Sequence, residues 1–473
     1  MITSSRNKLH AVLAWGLLCT TFTLRAQEPD ISVSPTPVGS GARAAGMANA
    51  FVAIADDATA ASWNPAGLVQ LERPEISAVG SYNFLFESFA ARGHDESERD
   101  HYSDKLDLNY LGLVYPLPFL VLGNNTTVSL NFQKKYELNH VFDLDFNTFM
   151  HDGVSLLSNF LVLDYEQKGS LNALSPAVAL ELTQRLSVGA TFNFWRDSFL
   201  GESGWTQRTR SRMFILDGVH PVIAFSNTQE EYKNFTGSNL TLGVLWTPTD
   251  RWSFGLRYDT AFTGNADYRK HQLSMQLDPR PLVTNLGPFF VREQRKIRFP
   301  ATLAVGAAWR ANDRLTVALD VTRTDWNDFY IKDAYGARRS LVDSGNIDDL
   351  FAPHFQPTST ARCGVEYVLL PKQPDEVIKR LWTLRGGLLY DEEPATGKSA
   401  GFVLGPNNGS GEPESFYGLA LGAGLQLNQR VNIDVAYQVR YGQDINRDMI
   451  RGVPAFKEDY FQHRLLFSTI IYF

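Results

Sequence analysis

Val431-Asn432-Ile433-Asp434-Val435-Ala436-Tyr437-Gln438-Val439-Arg440-Tyr441 alternates without interruption between apolar and polar or small side chains. A period of two sends successive side chains to opposite faces, so this stretch is a strand with one apolar and one polar face. The same reading holds for Trp252 to Phe262, for Leu315 to Thr322 and for Leu186 to Phe194. Soluble sandwiches alternate too, with the apolar face turned inward, so alternation leaves two architectures open. The connections choose between them.

Strands are expected near 75–88, 106–116, 125–138, 167–182, 186–199, 233–246, 252–264, 293–310, 314–328, 356–370, 380–391, 415–427, 430–441 and 459–473. Their connections switch between short and long. Thr183-Gln184-Arg185, Thr247-Pro248-Thr249-Asp250, Ala311-Asn312-Asp313 and Asn428-Gln429 are short, with somewhat longer members near 116–125 and 371–379. Between them lie long polar segments, 88–105, 138–165, 200–232, 264–294, 328–356, 391–415 and 442–459. An outer-membrane barrel has this asymmetry, with tight periplasmic turns and long extracellular loops. The expected fold is therefore all-β, a transmembrane antiparallel barrel of about fourteen strands, with both ends of the chain in the periplasm. Pro176 and Pro300 fall inside expected strands and each removes a ladder donor, which marks a bulge or a break.

The two ends of the sequence agree with export to an outer membrane. Arg6 and Lys8 precede a mostly apolar run from Ala11 to Leu24, and Leu24-Arg25-Ala26 is a usable cleavage site, so residues 1–26 read as a signal peptide. Leu18 before Cys19 departs from a lipoprotein pattern. At the other end Phe461, Leu465, Phe467, Ile471 and Phe473 share one face of the last strand. A terminal aromatic on such a strand resembles the signal read by the barrel-assembly machinery. No later stretch approaches the ~18 apolar residues of a membrane helix. The net charge of −7 and a pI near 5.8 exclude the basic surplus that nucleic-acid binding needs. Cleavage would leave one cysteine, Cys363, too few for a disulfide or a cysteine metal site.

Residues 27–74 do not read as barrel wall. Gly39 to Met47 is rich in glycine and alanine, and Ala48 to Ala55 is mostly small and apolar. Asp57 is placed to cap a short helix over Ala58 to Trp63. That helix should stop at Asn64, because Pro65 disfavours the α conformation before it, and Gly67 then permits a turn. So apolar a segment upstream of the first strand is best buried inside the barrel, as a plug.

Gly41-Ala42-Arg43-Ala44-Ala45-Gly46-Met47, Ala50-Phe51-Val52-Ala53, Ala55-Asp56-Asp57-Ala58-Thr59-Ala60 and Asn64-Pro65-Ala66-Gly67 resemble the N-terminal hatch of the FadL-type outer-membrane transporters. The resemblance implies a hatch over 27–74 within a barrel over 75–473. It also implies passive uptake of hydrophobic small molecules such as long-chain fatty acids or aromatic hydrocarbons. Substrate would pass from the outer loops to a lumen pocket, and hatch rearrangement would open a path, in that family through a lateral gap at a kinked strand. Arg43, Phe51, Asn64, Pro65 and Ala66 are the candidate substrate-path residues. Asn64 carries donors and an acceptor for unpaired strand groups at such a gap; it serves equally well as a plain helix stop.

Inward positions are mixed. Arg257, Asp259, Asp434, Gln438 and Arg440 are polar, whereas Gly418, Ala420, Gly422, Gly424, Leu466 and Ile470 leave room for a plug or ligand. Phe149 to Leu163 and Pro288-Phe289-Phe290-Val291 are candidates for a hydrophobic access groove. Metal spacing such as H-E-x-x-H, a G-x-S-x-G elbow and a P-loop are all missing from the sequence, so no enzyme, cofactor or metal is expected. The expected partners are a hydrophobic substrate, outer-membrane lipid and, through Phe473, the assembly machinery, with the chain acting as a monomer. A second reading is an interaction barrel of the same fold that serves a secretion system.

Overall fold

A computed structural model describes residues 36–91, 94–151, 156–198, 200–217, 220–277, 283–285, 287–339, 355–371, 379–394, 412–447 and 456–473. The proposed signal peptide lies outside the described residues. Fourteen antiparallel strands close into a ring. In chain order they are β1 Glu75–Ala91, β2 His94–Pro116, β3 Thr126–Glu137, β4 Leu156–Thr183, β5 Leu186–Trp195, β6 His220–Thr249 and β7 Trp252–Asp259. The ring continues with β8 Thr302–Arg310, β9 Leu315–Thr324, β10 Thr358–Leu369, β11 Arg380–Glu393, β12 Glu414–Leu427, β13 Val431–Arg447 and β14 Phe456–Tyr472. Each pairs with its successor, and β14 closes on β1 from Glu75↔Tyr472 to Ala91↔Phe456. The short connections all lie at the end where β1 starts and β14 finishes.

The alternation turns the apolar side chains outward. Leu256, Leu303, Val321, Leu388 and Leu421 face away from the lumen and are 40%, 47%, 51%, 65% and 60% exposed, which lipid tolerates and water does not. Trp246, Trp252, Trp309 and Trp382 form an aromatic row near the short turns, and Tyr258, Tyr417 and Tyr441 lie on the same face towards the other end. No described helix is long and apolar enough to cross a membrane.

The far end corrects the reading of its long segments as loops. His140–His151, the first part of β4, Gly204–Asp217, the first half of β6, Phe262–Leu277 and Phe289–Phe299 pair in that order into a sheet that extends the barrel wall. Trp205-Thr206-Gln207-Arg208-Thr209-Arg210 shows the reason: both faces carry polar groups, so strands here lack the apolar period that reveals them elsewhere. Likewise 88–105 lies mostly in β1 and β2. The expected strand 293–310 is two, because Pro300 and Ala301 interrupt it between Phe299 and Thr302. Pro176 stays in β4, opposite Leu130 of β3. The ladder to β5 pairs at Leu174 and Ala177 but not at Ser175 and Pro176.

One seam is incomplete. β2 and β3 pair from Pro116↔Thr127 to Tyr110↔Gln133 and no further. β2 bulges at Asn109, where its register against β1 shifts, and β3 bulges at Lys135 between Lys134↔Asn172 and Tyr136↔Leu171. Beyond Gln133 the free edge of β3 is taken by the N-terminal segment, through Thr36↔Glu137, Pro37↔Tyr136 and a hydrogen bond from Val38 N to the Lys135 carbonyl (3.0 Å).

Candidate functional site

From Ser40 to Leu71 the N-terminal segment is packed inside the ring. Helix α1, Ala42–Gly46, and helix α2, Ala60–Trp63, are joined by a stretch in which Ala48 and Asn49 take positive φ. The helix expected over 58–63 starts later, with Thr59 as its N-cap. Asp57 does not cap it; its carboxylate instead accepts from the Thr59 N–H (2.8 Å) and hydroxyl (2.6 Å). The helix ends at Asn64, whose extended backbone (φ −156°) hands over to a 3-10 turn at Pro65–Gln70. Pro65 suits the first position of that turn, where no N–H is needed.

The wall is shaped to receive this segment. Inward glycines pair across strands at Gly189↔Gly243, Gly255↔Gly306 and Gly364↔Gly387. A Cβ on Gly243 would fall 2.2 Å from Asn64 Oδ1, and one on Gly189 2.4 Å from the Pro65 carbonyl carbon. Gly422 meets Gly46 in the same way, at 2.8 Å from its Cα. No larger residue fits at these contacts.

Asn64 is fully buried. Its amide donates to the Val52 carbonyl (2.8 Å) and to Val244 of β6 (3.0 Å), and its oxygen accepts from Ala66 N (3.2 Å). It therefore ties the segment to β6 rather than to the open β2–β3 seam. Ala66 is held through its carbonyl by Ser187 (3.1 Å). Phe51 lies edge-on to Trp63 (6.2 Å), with the Arg43 guanidinium over its ring at 5.4 Å.

Arg43 is the centre of a buried charge cluster. It binds both oxygens of Glu366 on β10 (2.9 and 3.0 Å) and also contacts Asp56 and Asp57. Glu366 also accepts from Arg385 (2.7 Å), which reaches Asp434 (2.7 Å). Burial pushes the Asp57 carboxyl above its usual range, opposed by Arg43 and the Thr59 donors. On β9, Asp320 Oδ2 accepts from Phe51 N (2.6 Å) and Val52 N (2.8 Å). Glu366, Arg385 and Asp320 escaped the sequence reading, although each is an ionisable residue on the inward face of an alternating strand. Asp320→Leu would orphan two buried N–H groups, at about 1–3 kcal/mol each. The expected result is faster hydrogen exchange at Phe51 and Val52 with an unchanged barrel melting temperature.

Beside the segment lies a lumen cavity of about 240 Å³. Tyr136, Trp195 and Phe262 line one wall as stacked rings: Tyr136 lies 5.8 Å and Phe262 5.0 Å from Trp195, and Phe299 stacks on Tyr136 (5.4 Å) and Phe262 (5.1 Å). The cavity is also lined by Arg257, Arg362 and Arg440, which pair with Asp259, Asp391 and Glu393. Lys135, at the β3 bulge, also lines it and forms no ion pair among the described residues. A second cavity, of about 380 Å³, reaches the same bulge at Phe132 and Lys134. These alternate with Asn131 and Gln133, and Gln133 accepts from Ser62 of the interior segment, so Phe132 and Lys134 face the other side of the wall. Of the suggested access groove, Phe289, Phe290 and Val291 are exposed on the extended sheet, and residues 152–155 lie outside the described residues. No group of residues among those described could hold a metal ion.

A family model described as "Outer membrane protein transport protein (OMPP1/FadL/TodX)" matches residues 38–448. Among solved structures, a Pseudomonas aeruginosa FadL homologue is similar at 14% identity and TM-score 0.58, over 94% of this chain and 99% of that one. The Pseudomonas putida toluene transporter TodX is similar at 14% identity and TM-score 0.53, over 92% of this chain and 98% of that one. At such identity these likenesses speak for the fold alone. None of the curated proteins matches the sequence. The family match covers most of the chain and describes transport proteins of the outer membrane, not enzymes. A multi-pass β-barrel in the outer membrane, this chain belongs to the OMPP1/FadL/TodX family of transport proteins.

Proposed function

We propose that the protein takes up hydrophobic small molecules bearing an acidic group, long-chain fatty acids ahead of bare aromatic hydrocarbons. The observation that carries this reading is the lumen cavity, where a stacked aromatic slab meets Lys135, which forms no ion pair among the described residues. Flat rings offer apolar area at low entropic cost, and a lone half-buried ammonium is a standing cost that a carboxylate removes. A neutral hydrocarbon satisfies only the first feature. The N-terminal segment acts as the hatch, with Arg43, Phe51, Asn64, Pro65 and Ala66 holding it shut. Substrate captured on the exposed Phe289–Val291 patch passes to the cavity and leaves through the incomplete β2–β3 seam, once residues 36–38 part from the edge of β3, into the membrane.

Uptake of labelled oleate and toluene by cells with and without the protein tests this reading. Oleate uptake is expected to depend on the protein and to fall roughly tenfold with Lys135→Met, about the worth of one charge pair. Toluene uptake should be unchanged by that substitution. Protein-independent oleate uptake would sink the reading, and so would an equal loss for both compounds.

A further inference from the structure

Where the backbone ladder between β2 and β3 stops, a chain of polar side chains continues across the seam. Arg464 on β14 donates to Asn83 on β1 (3.0 Å), and Asn83 donates to Glu137 on β3 (3.2 Å). Lys105 on β2 lies between Glu137 (3.4 Å) and Asp107 (3.3 Å), and Asp107 takes Lys134 of β3 at 2.7 Å. Lys134 is the last outward residue before the bulge, and only 7% of its side chain is exposed. Lys134 and Asp107 both line the second cavity, while the neighbouring Lys135 and Tyr136 line the lumen cavity. The two cavities thus lie on opposite faces of β3, and at its edge, where pairing with β2 stops and residues 36–38 pair instead, ion pairs are the links from β3 to β2.

We propose that Lys105, Asp107, Lys134 and Glu137 form a charge-selective gate that admits acids and holds back neutral hydrocarbons. The proposal rests on the reading above, that substrate leaves through this seam. An arriving carboxylate can replace Glu137 on Lys105 and then Asp107 on Lys134, so each ammonium keeps an anionic partner throughout. A hydrocarbon parting the same pairs supplies no replacement and leaves the largely buried Lys134 and Asp107 apart, where separation is most costly. Selectivity then comes from the cost imposed on the wrong molecule rather than from extra affinity for the right one.

Three variants of the full-length protein in cells test the gate, each checked for folded barrel by heat-modified electrophoretic mobility. The neutralised pair Asp107→Asn with Lys134→Met is expected to raise toluene uptake and lower the oleate-to-toluene ratio about tenfold, the scale of a single charge pair. The swapped pair Asp107→Lys with Lys134→Asp should return the ratio towards the original. In a Cys363→Ala background, Asp107→Cys with Lys134→Cys, bridged by a short reagent cleavable by thiols, should stop uptake of both probes until reductant is added. Continued transport in the bridged protein would overturn the side exit and the gate together. A block on bridging with an unchanged ratio in the neutralised pair would overturn the gate and leave the side exit standing. A neutralised ratio that the swap does not rescue would also overturn it, because local packing rather than charge would then be responsible.

Discussion

A chain lacking residues 35–72 is expected to insert as a folded barrel and to conduct hydrophilic solutes that the intact protein excludes. The ring is closed by pairs among its own strands, β14 to β1 included, and the missing segment supplies backbone bonds only to the free edge of β3. The groups it would expose favour survival. Asp320 and the Glu366–Arg385–Asp434 cluster would pass from a buried setting into lumen water, which relieves desolvation. Most of the apolar cluster lost with the segment belongs to the segment itself, from Ala44 to Leu71. A fourteen-strand ring lies between small barrels filled by their own side chains and the open 16-to-18-strand porins, so emptying it leaves a water-filled bore. Glycine pairs such as Gly189↔Gly243 would line that bore without side chains to narrow it. Planar-bilayer conductance and sensitivity to a bulky hydrophilic antibiotic should both rise by about an order of magnitude or more, into the porin range. Failure to insert would show that the segment is scaffold and that the hatch role is wrong.

Arg43→Met is expected to unseat the N-terminal segment without removing it. The substitution leaves Asp57 buried beside Asp56 and takes away the cation that holds both carboxylate oxygens of Glu366. Removing one partner of a buried ion pair typically costs about 3–5 kcal/mol. At ~1.4 kcal/mol per decade, the seated fraction relative to the unseated one should drop at least a hundredfold. Arg43→Lys should recover part of this, since an ammonium keeps the charge but cannot span both oxygens of Glu366. The readouts are proteolysis of residues 36–72 in outer-membrane vesicles and the leak of hydrophilic solutes, with the barrel's own melting temperature unchanged. Equal protease resistance in Arg43→Met and the parent would show that the Asp320 and Asn64 contacts suffice and that the charge cluster is not the latch.

Fold and site differ in how much of each the sequence discloses. Each barrel strand announces itself because lipid on one side and lumen on the other impose strict alternation, and Gln184-Arg185 or Asn428-Gln429 leaves no room for anything but a turn. Beyond the membrane that constraint lapses. In Gly204–Asp217 the arginines Arg208, Arg210 and Arg212 share the face opposite Thr209 and Ser211, and polar strands of this kind read as loop. In the interior segment, Arg43, Phe51, Asn64 and Pro65 were visible through the resemblance of the stretches that carry them to a FadL-type hatch. Their partners were not, since Glu366 and Asp320 lie on strands where an inward acid looks like ordinary pore lining. The strand glycines at 189, 243, 255 and 306 were the available clue: a missing side chain in mid-strand signals that something approaches closely.

The burial of residues 40–71 also dictates an order of events during biogenesis. These residues are the first of the described chain to emerge, yet their docking partners arrive late: Arg43 waits for Glu366, 323 residues onward, and Ala45 for Gln438, 393 residues onward. Until β13 and β14 are in place, this apolar stretch has no finished interior to occupy. It must therefore cross the periplasm protected by something else, and it must be enclosed as the last strand zips onto the first or be drawn in afterwards. Contacts this distant along the chain form slowly, so the settling of residues 40–71 comes no earlier than the closing of the ring.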